Sequence, residues 1–218
     1  AGYELAKTLI MTAKSAGKKS INILAIAAQE NDVNAVLRVK GLEKALKEFP
    51  DVILSRIANT DWSKEQTLEA LEAEADLNRI TIVWAASDDM ALTASSYFKT
   101  KGLYQGKDVF IGGIDWTNKA LQAVKSGELT TSVGGHFADM GWAMILFYDY
   151  FNGKDFASEN TIFKSAMKPL IAKNVNIFLS SEGKDRWSDV NFRSFSKVLN
   201  PSLKEYRFDL VVLLRMAK

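Results

Sequence analysis

Residues 21–28, INILAIAA, are apolar at every position but one. A strand that shows one face to water alternates polar and apolar residues, so a strand apolar on both faces must be covered by helices on both sides, the signature of a parallel sheet. Related runs follow at DVILSRIA (51–58), ITIVWAA (80–86) and DVFIGGI (108–114), with a shorter one at TTSVGG (130–135). Between them the period changes to that of helices. Residues 2–16 place Leu5, Leu9, Ile10 and Ala13 on one face before Gly17 stops the helix. Residues 33–48 run through Val36, Val39, Leu42, Ala45 and Leu46 and end before Phe49-Pro50. Residues 61–77 start with Asp61 or Ser63 as N-cap, a further helix follows the acidic turn after Ala86, and 117–126 ends at Gly127. Such alternation predicts an α/β fold with a doubly wound parallel sheet built by right-handed crossovers.

Beyond residue 135 the pattern shifts. ADMGWAMILFYDYFNG (138–153) is a strongly apolar helix closed by Gly153. FKSAMKPLI (163–171) and NVNIFL (174–179) read as short strands or extended segments, RWSDVNFRSFSKVL (186–199) as a helix with Phe192, Phe195 and Val198 inward, and YRFDLVVLL (206–214) as a closing strand.

Composition removes several function classes. Twenty-eight Lys and Arg against 26 Asp and Glu, evenly spread, leave +2, which argues against a nucleic-acid partner. Without cysteine there is no disulfide and no thiolate metal site. No apolar run reaches the roughly 20 residues of a membrane span. One histidine, His136, no GxSxG elbow, no phosphate loop and no cluster at metal-ligand spacing leave no basis for an enzyme, a metal or a cofactor. Gly112-Gly113 belongs to a strand end rather than to a dinucleotide fingerprint.

In a parallel sheet all strand-to-helix junctions fall on one edge, outside the carboxyl ends of the strands, where open α/β folds bind ligands. That edge would gather Asp32, Asn34, Arg38, Trp62, Ser87, Asp88, Asp115 and Trp116. Carboxylate and guanidinium groups make charge-assisted bonds to neighbouring hydroxyls, and an indole covers the C–H face of a ring, so the set suits a neutral polar ligand such as a sugar. Each residue also has a plainer role. Asp32, Asn34 and Asp61 stand where helices are capped, Arg38 where an arginine is ordinarily solvated, and Trp62 and Trp116 where an aromatic can simply cover the sheet edge.

Several motifs, in order, resemble the type I periplasmic binding proteins for sugars, whose fold is shared by LacI-type effector domains. They are NAVLRVKGLEKAL (34–46), TDW (60–62), VWAASDDMALTA (83–94), GLYQGKDVFIGGIDWT (102–117) and ALQAVKSGELTTSVGGHF (120–137). The resemblance implies that Arg38, in its R-x-x-G-L setting, and Asp115 bond sugar hydroxyls. It implies the same for Asp32 and Asn34, six and four positions before Arg38, and a stacking role for Trp62. Two positions depart from the family: Ser87 stands where an asparagine is usual, and Gly135-His136 where a glutamine is common. The GGHF segment and the apolar helix after it, with its YDYFNGKDF ending, resemble a sub-branch of sugar-type binding proteins and the relatives that bind a furanosyl autoinducer and report to a membrane histidine kinase.

The resemblance further implies a C-terminal ligand-binding lobe over 1–133, a crossover helix and strand over 134–165 that normally pack on an N-terminal lobe, and a return with an extended tail over 166–218. That N-terminal lobe is expected to be missing from the chain. The expected function is a periplasmic solute-binding protein that delivers a sugar to an ABC transporter permease. The alternatives are a sensor presenting its ligand state to a membrane histidine kinase, or a LacI-type repressor effector domain.

Overall fold

The computed structural model describes residues 1–163, 167–179 and 191–208. The chain divides into two compact units: the first is Ala1–Gly134 with Lys168–Val175, and the second takes the described residues of Gly135–Met167 and Asn176–Lys218.

The first unit is a six-stranded sheet in the order β2-β1-β3-β4-β5-β6. Its strands are β1 (Ile21–Ala28), β2 (Val52–Thr60), β3 (Ile82–Ala85), β4 (Phe110–Ile114), β5 (Thr131–Gly134) and β6 (Lys168–Ile171). The first five are parallel, and β6 pairs antiparallel with β5. Strands β1, β3, β4 and β5 are buried almost throughout, as strands inside a parallel sheet are, whereas the edge strand β2 keeps solvent-facing positions. Pro169 lies on the opposite edge strand, where the missing N–H costs no ladder bond.

The helices are α1 (Gly2–Ser15), α2 (Val33–Leu46), α3 (Lys64–Glu72), α4 (Asp88–Thr100) and α5 (Asn118–Ser126). Leu5, Leu9, Ile10 and Ala13 of α1 are buried, and the indole N–H of the fully buried Trp84 donates to the Gly2 carbonyl at 3.1 Å, fastening α1 to β3. Helix α3 is shorter than its sequence predicts. Only Thr67 and Leu71 are buried on it, and after Glu72 the chain leaves for a 3₁₀ turn at Leu77–Arg79 capped by Asp76.

In the second unit α6 (Asp139–Phe151) buries Trp142, Ile145 and Asp149. Met140, Met144 and Phe151 on its other side are 75%, 66% and 80% exposed, so the predicted apolar helix covers only one of its faces within this unit. Of the described tail, Lys168–Val175 groups with the sheet, and the described residues from Asn176 onward group with α6.

Three expectations for the tail change. NVNIFL is not extended: the Asn174 side chain accepts the Ile171 N–H at 2.7 Å, and a single helical turn, α7 (Asn176–Leu179), follows. The helix expected over 186–199 is, in its described part, one 3₁₀ turn at Phe192–Phe195, because the Ser196 hydroxyl and the Lys197 N–H turn to the Asp149 carboxylate instead of continuing a helix. Residues 206–208 form no strand, and 209–214 of the expected closing strand lie outside the described residues.

Candidate functional site

The strand order reverses between β1 and β3: the chain passes from β1 to β2 on one side, then crosses to β3 on the other. Loops leaving the carboxyl ends of strands flanking such a point diverge and open a crevice. Of the residues predicted from the sequence, Asp32, Arg38, Trp62 and Asp115 are brought together there.

Arg38 is the centre. One of its nitrogens, Nη1, donates to the Ala86 carbonyl at the end of β3, and Nη2 donates to Asp115 Oδ1 at 3.0 Å. Its guanidinium carbon lies 5.5 Å from the centre of the Trp62 ring. The side chains of Arg38 and Asp115 are 17% and 30% exposed, so the pair is shielded yet reachable.

The position of Arg38 follows from a close approach of two helices. A Cβ on Gly41 would lie 2.6 Å from the Tyr3 amide nitrogen, and one on Gly2 would lie 1.9 Å from the Arg38 carbonyl oxygen. Only glycines at both places let α1 and α2 cross this closely, which explains physically the glycine three residues after the arginine.

Asp32 caps α2 and also anchors Trp62. Its Oδ1 caps α2 by accepting the Asn34 and Ala35 N–H groups at 2.7 and 2.9 Å, and Oδ2 accepts the Trp62 indole N–H at 3.2 Å. The Ala35 N–H bond is the main reason its carboxyl is held below the ordinary value, with the Trp62 bond and the Arg38 charge assisting against a partial loss of hydration. Asn34 is exposed at the start of α2. Trp62 is half-buried, with φ +71°.

On the β4 side, Asp115 and Trp116 have φ +134° and +59°, two successive non-glycine residues in the left-handed region, which costs roughly 1–3 kcal/mol each. The turn is held by Asp115 N–H to the Val133 carbonyl at 2.8 Å and Trp116 N–H to Ser132 Oγ at 3.2 Å.

Three predicted residues face away from the crevice or serve the scaffold. Trp116 is 5% exposed, and its indole N–H donates to the Ser132 carbonyl at 3.0 Å, so the ring packs inward. Ser87 is the N-cap of α4, its hydroxyl accepting the Met90 N–H at 3.3 Å, and is 8% exposed. Asp88 is fully buried. Its Oδ1 accepts the Ser132 hydroxyl at 2.7 Å, and Oδ2 accepts the Thr117 N–H at 2.7 Å and the Thr117 hydroxyl at 3.1 Å. Burial pushes its carboxyl up, the Ser132 and Thr117 bonds pull it down and the nearby Asp115 charge raises it again, leaving it at about 6. Asp88 is therefore corrected from a ligand contact to a buried strut.

Sequence reasoning missed the Ala86 carbonyl, a backbone group without a side-chain signal, and Ser132, whose burial in the short strand β5 has no signal in the sequence TSVG. No group of His, Asp and Glu among the described residues could hold a metal ion.

The model of the periplasmic binding protein domain matches residues 1–155. The chain belongs to this family. Among its relatives, the galactofuranose-binding protein YtfQ of Escherichia coli is 30% identical over 124 residues, 55% of this chain and 39% of the relative. A D-apiose import binding protein of Paraburkholderia graminis is 26% identical over 121 residues, 55% of this chain and 38% of the relative. A crystal structure of a periplasmic sugar-binding protein from Pseudomonas fluorescens superposes with a TM-score of 0.84 at 27% identity, covering 98% of this chain and 67% of the other. The chain spans about two-fifths of the length of the curated relatives it matches.

Proposed function

We propose that the chain forms one wall of a sugar-binding cleft in a periplasmic solute-binding protein, a second lobe closing over the ligand, which is then passed to an ABC transporter permease. The observation that carries this reading is the run of Trp62, Asp32, Arg38 and Asp115 along the carboxyl edge of β2, β1, β3 and β4. It offers an aromatic face, a guanidinium fixed at two points and two carboxylates, but no nucleophile or acid–base pair. Vicinal hydroxyls are bound by such charged donors and acceptors, and the apolar face of the ring by the indole. The names of the relatives, binders of galactofuranose and apiose, support a sugar of the same general size.

The deciding experiment is a thermal-shift screen of the protein with methyl β-D-galactofuranoside, D-apiose, D-ribose, D-galactose and D-allose, repeated in Arg38→Ala and Asp115→Ala. At least one sugar is expected to stabilise the unsubstituted protein and to lose that effect in both variants. Stabilisation that survives both substitutions would place the sugar elsewhere.

A further inference from the structure

Asp88 is conspicuous because it is both fully buried and at the first position of a helix, where an aspartate usually faces solvent. It is turned inward, and Gly113 makes the room: a Cβ there would lie 2.7 Å from Asp88 Oδ1 and 2.8 Å from the Ser87 carbonyl oxygen. The carboxylate joins three elements, standing at the start of α4 and bonding Ser132 on β5 and Thr117 at the N-cap of α5.

Those bonds converge on the turn that carries Asp115. Asp88 grips Thr117 directly through its N–H and hydroxyl. It grips Trp116 through Ser132, whose hydroxyl donates to Asp88 Oδ1 and accepts the Trp116 N–H. An ionised carboxylate only accepts, so it fixes the direction of this relay. Both residues of the turn with left-handed backbones, Asp115 and Trp116, are thus followed or held by groups that depend on Asp88. Of the charged groups around it, Asp115 is on the β4–α5 turn and Asp89 is exposed beside it on α4, while β5 contributes the uncharged Ser132.

We propose that Asp88 is a positioning residue for the binding site, holding the Asp115–Thr117 turn in the strained backbone that brings Asp115 to Arg38. The proposal rests on the reading of Arg38 and Asp115 as the ligand pair. It assigns Asp88 a role without ligand contact and predicts that affinity is set in part by a group the ligand never touches.

The test uses Asp88→Asn, which keeps the shape, and Ser132→Ala, which keeps Asp88 and carries the test should the first variant not fold. A carboxamide has one acceptor oxygen, so it cannot serve both Ser132 and Thr117 as before. In Asp88→Asn the Thr117 or Trp116 amide is expected to exchange about tenfold faster relative to the Ile23 and Val83 amides of the core, the loss expected of one buried hydrogen bond. In Ser132→Ala the Trp116 amide alone is expected to do so. A crystal structure of either variant is expected to show Arg38 and Asp115 out of ion-pair contact. Unchanged exchange at 116–117 with the ion pair intact, or acceleration spread evenly over core and turn, would overturn the positioning role. These readouts need no sugar, so they stand apart from the outcome of the sugar screen. Conversely, methyl β-D-galactofuranoside binding equally to Asp88→Asn and the unsubstituted protein would remove the positioning role and leave the sugar site standing.

Discussion

Arg38 and Asp115 are 77 residues apart in sequence and 3.0 Å apart across the head of the sheet. The arginine comes from the second turn of α2 and the aspartate from the turn after β4, so their meeting spans the reversal in strand order between β1 and β3. Neither is committed wholly to the other. Arg38 also holds the Ala86 carbonyl and lies beside the Trp62 ring, and both side chains retain exposure toward solvent.

The first prediction concerns that division of labour. Arg38→Lys preserves charge but replaces a planar fork by a single ammonium, which cannot hold the Ala86 carbonyl and Asp115 in the same geometry. It is expected to weaken sugar binding by about 1–3 kcal/mol, roughly fivefold to 150-fold. Arg38→Ala should be no better. Titration calorimetry with the sugar selected by the thermal-shift screen measures the difference, and an affinity within twofold of the unsubstituted protein for Arg38→Lys would show that the fork is not used.

Trp62 tests the aromatic wall. Its indole nitrogen is tied to Asp32 while its face remains beside Arg38. Trp62→Phe keeps a face and loses the tie, so affinity should fall only a few-fold. Trp62→Ala loses the face and should cost about 1 kcal/mol or more of binding. Quenching of tryptophan fluorescence on adding sugar, present in the unsubstituted protein and absent in Trp62→Phe, would locate the ligand at this ring.

Much of this was legible beforehand because the signals are local. The burial of β1 on both faces is written in INILAIAA, the end of α5 in Gly127 with its left-handed backbone, and the edge residues follow from the parallel sheet. What the sequence hid was direction. Asp88 and Asp89 are adjacent acidic residues at one helix start, yet Asp88 is buried and Asp89 exposed, and only the space over Gly113 and the donors Ser132 and Thr117 decide between them. Trp116 is similar: its indole finds the carbonyl of Ser132 on a neighbouring strand, a contact without sequence periodicity. The tail misled for a related reason, since the Asp149 carboxylate captures the chain at 196–198 and stops the helix that the Phe192, Phe195 and Val198 spacing suggested.

Asp88 makes stability depend on pH in an unusual direction. Its folded-state value of about 6 lies above the ordinary aspartate value of 3.8, so the folded chain binds this proton more tightly than the unfolded chain. The stabilisation from this group is full below the ordinary value and is lost as pH rises through about 6. Between pH 4 and 7.5 the loss amounts to about 3 kcal/mol at most. Urea unfolding of the unsubstituted protein and Asp88→Asn across this range should therefore show the variant gaining relative stability as pH rises. A constant difference would mean that Asp88 titrates normally.

Gly41 links helix packing to the site. A methyl group there meets the Tyr3 amide nitrogen and the Gly2 backbone, neither of which is a flexible side-chain end. Gly41→Ala must part α1 from α2, at a cost of about 1–3 kcal/mol, and move the turn that carries Arg38. A fall in both thermal midpoint and sugar affinity is expected, whereas a fall in the midpoint alone would show that Arg38 keeps its place when the helices separate.

The second unit contains a buried aspartate with the opposite linkage. Asp149 is fully buried on α6; Ser196 and Tyr206 donate hydroxyl bonds to it, and Lys197 and Val198 donate N–H bonds. Burial works to raise its carboxyl, but the Ser196 and Tyr206 hydroxyls and the two amides outweigh it and hold the group below its ordinary value. The stability it supplies is thus present above the ordinary aspartate range and lost as pH falls through the depressed folded value. Burial and the Asp149 charge push the Tyr206 hydroxyl up, so it remains a donor throughout. Asp149→Asn should release the tail from α6 at a cost of about 2 kcal/mol, read as faster exchange of the Lys197 and Tyr206 amides at neutral pH. Acidification should bring the unsubstituted protein toward the same exchange pattern, because protonation removes the charge that gathers these four donors. If the tail amides stay protected in the variant, the aromatic packing of Trp142 on Phe195 and Phe208 holds the tail without help from the carboxylate.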